Sequence, residues 1–243
     1  MLDDDAFLPS YALPVVVGIL VTALYPAAPH VRSPENKGGY RALLIVTLVF
    51  AIVGAKLVAL MGDRLWPVVP LEHGWRTVVE SGRSIVGGLL FGHLASELAR
   101  PLLGYTAAPN DRLAVAVCVG VAVGRFGCWL SGCCLGVPFE GALAVGGRFP
   151  STLLELGFHL VLAVVFFTLE RRRVLFGRLF SLYLVVYGVF RFASEPLRAT
   201  PKALWGGLSV YQAFAVVLVV VGAAGLWWRS TSETWRARLA VPS

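Results

Sequence analysis

The chain is poor in charge. Aspartate, glutamate, lysine and arginine together make up 14% of its 243 residues, while 57% are hydrophobic. That balance excludes an ordinary soluble surface and a charged disordered chain alike. No internal repeat, low-complexity tract or soluble domain is visible, which argues against a repeat array or an appended globular module. Histidine is scarce, with four copies, and none stands at finger-like spacing from the cysteines, so the metal reading is weak and no metal and no cofactor is expected. Acidic residues number 14 against 21 basic ones, a formal net charge of +7.

What the chain has instead is apolar runs close to the ~20 residues that cross a bilayer. Only helices and closed barrels satisfy their own backbone in lipid, and continuous runs without period-two alternation favour helices. The expected fold is an all-α integral membrane protein, residues 1–243 forming one polytopic domain. About seven spans are read: Tyr11 to Pro29, Tyr40 to Met61, Ser84 to Ala99, Leu113 to Leu130, Thr152 to Leu169, Val174 to Ala193 and Ser209 to Trp228. The start is acidic (Asp3, Asp4, Asp5), so the first apolar segment is read as a span and not as a cleavable signal.

The basic excess is a question of sides. With the N-terminus outside and the C-terminus cytoplasmic, the inner loops hold Arg32, Lys37, Arg41, Arg100, Arg112, Arg171, Arg172, Arg173, Arg178, Arg229, Arg236 and Arg238. The outer ones hold Arg64, Arg76, Arg83, Arg148, Arg198 and Lys202. This asymmetry follows the positive-inside pattern, and "ERRR" (Glu170 to Arg173) reads as a headgroup anchor. No nucleic-acid partner is needed.

Lys56, Arg125 and Arg191 lie in or at the ends of spans, with Glu195 just beyond. Each charge costs at least ~2.5 kcal/mol at mid-bilayer, so each needs a partner or a wet cavity; Lys56 can instead snorkel. Four segments fall on the outer side in this topology: "GRSIVGGLLFG" from Gly82, "GRFGCWLSGCCLG" from Gly124, "RFPSTLLE" from Arg148 and "YGVFRFASEPLR" from Tyr187. Arg191 and Glu195 are spaced for an i, i+4 pair, on a face shared with Tyr187, Arg198 and, further in, Tyr183. Arg125, Cys128 and Ser131 share another face, and Gly120, Gly124 and Gly127 permit close helix approach. Guanidinium groups grip phosphate oxygens through paired hydrogen bonds and keep their charge, so a phospholipid headgroup is the natural ligand. A buried structural ion pair is the plainer account of Arg191 and Glu195.

At these motifs the chain resembles the bacterial prolipoprotein diacylglyceryl transferases, seven-span enzymes of the plasma membrane. The family pattern Y-G-x-x-R-x-x-x-E-x-x-R is kept in full by Tyr187 to Arg198. G-R-x-G-N-F-x-N-G-E-x-x-G appears as "GRFGCWLSGCCLG", H-P-S-Q-L-Y-E as "FPSTLLE", and S-x-H-G-G as "SIVGG". The resemblance runs from about Ser84 to Arg198. It implies transfer of a diacylglyceryl group from phosphatidylglycerol to a lipoprotein-precursor thiol, with glycerol phosphate leaving. Carried over residue by residue, it implies that Arg125 and Arg191 hold the lipid phosphate, with Arg198 and Arg148 beside them, and that Glu195 orients Arg191. Ser84, Gly87, Gly88, Ser131, Ser151, Glu155 and Tyr187 would line the cavity. The expected location is the bacterial plasma (inner) membrane, and the partners are a phospholipid donor and a thiol acceptor.

The departures concentrate near the expected chemistry. Val86 and Phe149 replace the two family histidines, and Cys128, Ser131 and Cys133 replace two asparagines and a glutamate. His159, one turn after Glu155, is either a substitute base or a hydrogen-bonded packing residue, and His93 is the poorer candidate. Cys128, Cys133 and Cys134 have several readings: a nucleophile for phospholipid acyl transfer, a redox pair of a membrane thiol oxidoreductase, or small packing residues. Cys118 reads as packing. A non-catalytic lipid-binding protein is a further alternative.

Overall fold

A computed structural model describes residues 37–63, 82–104, 109–199 and 207–232, with scattered positions between 13 and 25. Among the described residues six helices run without interruption: α1 (Lys37–Gly62), α2 (Ile85–Leu102), α3 (Leu113–Leu130), α4 (Ser151–Arg171), α5 (Leu179–Ser194) and α6 (Val210–Thr231). Short 3-10 turns cover Pro109–Arg112 and Glu195–Leu197. There are no strands among the described residues, only isolated antiparallel bridges. Helices Gly38–Gly62, Leu113–Leu130, Ser151–Arg171 and Val210–Thr231 are long and apolar enough to cross a membrane. Their outward faces are apolar, with Val161 63%, Val164 67% and Val220 60% exposed, the pattern of helices solvated by lipid.

The other expected spans fare differently. The third forms α2, but His93, Glu97 and Arg100 interrupt its apolar face. The sixth begins five residues later than expected, at Leu179, because Arg173, Leu175 and Gly177 all adopt positive φ and turn the chain. That leaves 16 residues, about 24 Å of helix. Of the first span, the described positions from Leu13 to Leu24 are helical, and the remainder lies outside the described residues. So do Arg32, Arg64, Arg76, Lys202, Arg236 and Arg238 among the loop charges.

The molecule consists of two compact units. One holds the described residues of Met1–Val31, Asp111–Phe180 and Pro196–Ala199; the other holds those of Arg32–Asn110, Ser181–Glu195 and Thr200–Ser243. In the first, α3 packs against α4. A Cβ on Gly127 would strike Pro14, and one on Gly120 would strike Thr22, so these two glycines admit the first-span helix as expected. A Cβ on Gly124 would meet no described residue of another segment within 4 Å. In the second, α1 packs against α2, and both meet α6. The α1–α2 crossing is closed by Gly54 and Gly87, since a Cβ on either would overlap the facing helix.

α3 stops where glycine permits a left-handed residue. Gly132 has φ 65°; its N–H donates to the Trp129 carbonyl at 3.0 Å, and the Cys133 N–H donates to the Cys128 carbonyl at 3.0 Å. This pair of bonds is a Schellman ending. α6 starts with a reciprocal cap: Ser209 accepts from the Gln212 N–H, and the Gln212 side chain accepts from the Ser209 N–H.

Candidate functional site

Segment 131–150 links α3 to α4 and folds back on itself through backbone pairs. Gly136 N–H donates to the Phe149 carbonyl at 2.8 Å, Phe149 N–H to Val137 at 3.0 Å, and Val137 N–H to Leu197 at 3.1 Å. The last contact, with the Gly136–Arg198 bridge, carries Arg198 to the start of α4. There one carboxylate oxygen meets two guanidinium groups. Glu155 Oε2 accepts from Arg125 Nη2 at 2.8 Å and from Arg198 Nη1 at 3.1 Å. Glu155 and Arg125 are buried. Glu155 was expected only to line a cavity, whereas the structure makes it the centre of this group.

Arg148 stands at the rim, exposed, with Nη1 donating to the Gly136 carbonyl at 3.2 Å. The Ser151 hydroxyl donates to the Cys134 carbonyl at 2.8 Å, tying α4 to the cysteine segment. The Ser131 hydroxyl donates back to the Gly127 carbonyl at 2.8 Å, so it closes the helix end. His159 is fully buried and its Nδ1 donates to the Glu155 carbonyl at 2.8 Å. That bond commits one ring nitrogen and fixes the orientation of the ring.

Three thiols lie beside Arg125. The Sγ atoms of Cys128, Cys133 and Cys134 are all within 4.8 Å of one another, and Arg125 Nη1 is 4.0 Å from Cys128 Sγ. Hydrogen bonds from the Cys128 and Cys133 thiols, reinforced by the charges of Arg125 and Arg198, hold the Cys134 thiol well below the usual range. Hydrogen bonds to Cys128 and Cys134, together with burial, push the Cys133 thiol up. Cys118 is buried apart from them, in α3.

The second unit holds the remaining expected site residues. Arg191 forms its ion pair with Glu195, as the spacing predicted. Glu195 Oε1 also accepts from the Ser209 hydroxyl at 2.9 Å, and the Arg191 guanidinium lies 5.3 Å from the centre of the Tyr211 ring. The Tyr211 hydroxyl donates to Asp63 at 2.8 Å. Sequence reasoning missed Ser209, Tyr211 and Asp63; the "S-x-x-Q" cap at Ser209 was the available signal. Tyr187 is fully buried and stacks on Tyr183, with ring centres 5.9 Å apart. Ser84 caps α2 by accepting from the Gly87 N–H at 3.3 Å. Gly87, expected to line a cavity, packs at the α1–α2 crossing, while a Cβ on Gly88 would make ordinary contact with Ala51 and Ala55.

A further polar group in this unit was read as loop charge. Arg229, 2% exposed, donates to Glu97 Oε1 at 2.6 Å and to the Ser181 hydroxyl at 3.4 Å. Arg100 pairs with Glu97 Oε2 at 3.3 Å. Asn110 Nδ2 donates to His93 Nδ1 at 2.9 Å, and the Ser96 hydroxyl donates to Asn110 Oδ1 at 2.9 Å.

Apolar spanning helices that hold buried guanidinium–carboxylate groups define a helical membrane protein built around fixed cationic sites. The model of the prolipoprotein diacylglyceryl transferase family matches residues 6–228, and the chain belongs to that family of transferases. It is similar to proteins named phosphatidylglycerol–prolipoprotein diacylglyceryl transferase from several bacteria. The relative from Clostridium tetani is 24% identical over 228 residues, covering 87% of this chain and 89% of the relative. That from Parasynechococcus marenigrum is 28% identical, covering 89% and 86%, and that from Gloeobacter violaceus is 30% identical, covering 90% and 87%.

Proposed function

We propose that this chain transfers a diacylglyceryl group from phosphatidylglycerol to the thiol of a lipoprotein precursor, forming a thioether and releasing glycerol phosphate. It does so as a seven-span protein of the bacterial plasma membrane with its N-terminus outside. The observation that carries this reading is the meeting of Arg125 and Arg198 on one oxygen of the buried Glu155. Two guanidiniums on one carboxylate make a cationic seat, held in shape by Glu155, for the phosphate of a lipid headgroup.

The chemistry needs little beyond position and charge. The acceptor sulfur attacks the glyceryl carbon, the bond from that carbon to the phosphate oxygen breaks, and the electron pair leaves on glycerol phosphate. Arg125, fixed before the reaction begins, stabilises the charge that develops there. In the second unit Arg191, oriented by Glu195 and Tyr211, is proposed as another lipid-phosphate guanidinium.

The test is incubation of purified protein with phosphatidylglycerol labelled in both glycerols, together with a cysteine-containing acceptor peptide. Expected products are labelled glycerol phosphate and a peptide heavier by one diacylglyceryl group. Acylated peptide with intact glycerol phosphate on the lipid would mean acyl transfer and would overturn the reading, as would absence of both products.

A further inference from the structure

The thiol cluster is built by the end of a helix. In a Schellman ending the residues at either end of the longer hydrogen bond bring their side chains together. In α3 these residues are Cys128 and Cys133, joined by the 3.0 Å backbone bond that the positive φ of Gly132 allows. Cys134 follows at φ 59°, a left-handed conformation uncommon outside glycine, and its carbonyl is held by Ser151. All three sulfurs are thereby turned to one point, within 4.8 Å of one another. Around a zinc ion, with bonds of ~2.3 Å, sulfur ligands stand roughly 3.8 Å apart, so a small closure of this cluster suffices to coordinate one. Soft thiolates select zinc-class ions over magnesium or calcium.

We propose that Cys128, Cys133 and Cys134 form a three-thiolate site for a zinc-class ion whose fourth position takes the acceptor thiol of the transfer reaction. The second half of this inference rests on the function proposed above. Three protein ligands with one open position is the arrangement of zinc sites that act on an exogenous ligand. A thiol that coordinates such an ion is deprotonated outright. The acceptor therefore enters as R–SH and releases its proton to water. Its sulfur electron pair forms the new bond to the glyceryl carbon, while the carbon–oxygen bond to phosphate breaks and its electrons leave with glycerol phosphate. The ion is neither oxidised nor reduced. The thioether product is uncharged, binds the ion less well than a thiolate, and vacates the position. Arg125, 4.0 Å from Cys128 Sγ, stands where donor phosphate and bound acceptor would be neighbours. A zinc ion with three thiolates carries one net negative charge, which the Arg125 and Arg198 guanidiniums offset.

The test uses the full-length protein, reduced and purified in detergent, titrated with Co²⁺ alone. Expected are one cobalt per chain, a thiolate-to-cobalt charge-transfer band and the visible bands of tetrahedral cobalt. Cys128→Ser, Cys133→Ser and Cys134→Ser each weaken binding by at least about 100-fold, and Cys118→Ser leaves it unchanged. A cysteine peptide shifts the visible bands; its serine counterpart does not. The site is overturned by absence of the bands, by their survival in the three serine variants, or by a disulfide among these cysteines in protein alkylated before purification. Cobalt bands that ignore the cysteine peptide overturn the acceptor position. Undiminished transfer after zinc is stripped overturns the inference and leaves the proposed function standing. No transfer by zinc-loaded protein, with the cobalt responses intact, sinks the proposed function and leaves the ion site standing.

Discussion

Among the described residues, two groups have the same composition, each with two arginines on one glutamate. In one, Arg125 and Arg198 share a single oxygen of Glu155, beside three thiols and a folded-back segment. In the other, Arg229 and Arg100 take separate oxygens of Glu97, and Ser181 and Asn110 add hydrogen bonds to the same network. Glu97 and Arg100 are three residues apart on one helix, so half of that group is a local pair. The Glu155 group draws on α3, α4 and the turn after α5. Burial and pairing alone therefore do not mark a site. The difference lies in the surroundings: Glu97 is braced by polar partners, whereas the Arg125 guanidinium borders a cluster of three thiols.

That contrast can be broken in order of expected effect. Arg125→Ala should lower diacylglyceryl transfer by about 100- to 1,000-fold, the range for removing a fixed donor from developing charge. Release of labelled glycerol phosphate measures it. Arg229→Met should leave the rate per folded molecule unchanged; an equal fall there would erase the distinction between the two groups. Next, Glu97→Gln takes the carboxylate charge from two buried guanidiniums and should destabilise by about 3 kcal/mol, read as a lower thermal midpoint at unchanged specific activity.

Gly132→Ala comes third, because a left-handed alanine costs roughly 1–2 kcal/mol. Its sharper readout is separation of Cys133 from Cys128, seen as weaker cobalt binding than in the parent protein. Smallest is Ser209→Ala, which removes the α6 cap and the hydroxyl donated to Glu195, with an expected loss of about 1 kcal/mol. Thermal unfolding in detergent would detect it, and a loss of several times that size would show that Glu195 depends on Ser209 more than on Arg191.

Much of the fold was legible because lipid imposes a simple rule on sequence. The expected span Leu113 to Leu130 coincides with α3, and the fifth and seventh expected spans differ from α4 and α6 by a few residues at the ends. The sixth failed at its start because Val174 and Leu175 are apolar enough to extend a run, while their backbone belongs to a turn. In the site, the Arg191–Glu195 pair was legible because four residues of helix bring two side chains to one face. Glu155 was read as lining because its partners lie 30 and 43 residues away. Arg229 looked like a topology charge for the same reason, since Glu97 is 132 residues distant.

By itself the sequence determined the apolar character of a membrane protein, roughly where most of its helices run, which charges lie within them and which family it resembles, because hydropathy and short-range helical spacing are local properties. Tertiary structure alone decided that Glu155 joins Arg125 to Arg198, that Arg229 is braced by Glu97, and that three cysteines within seven residues aim their sulfurs at one point. Those outcomes depend on a left-handed turn at Gly132 and on hydrogen bonds between distant segments, and neither is written in the composition of any single run.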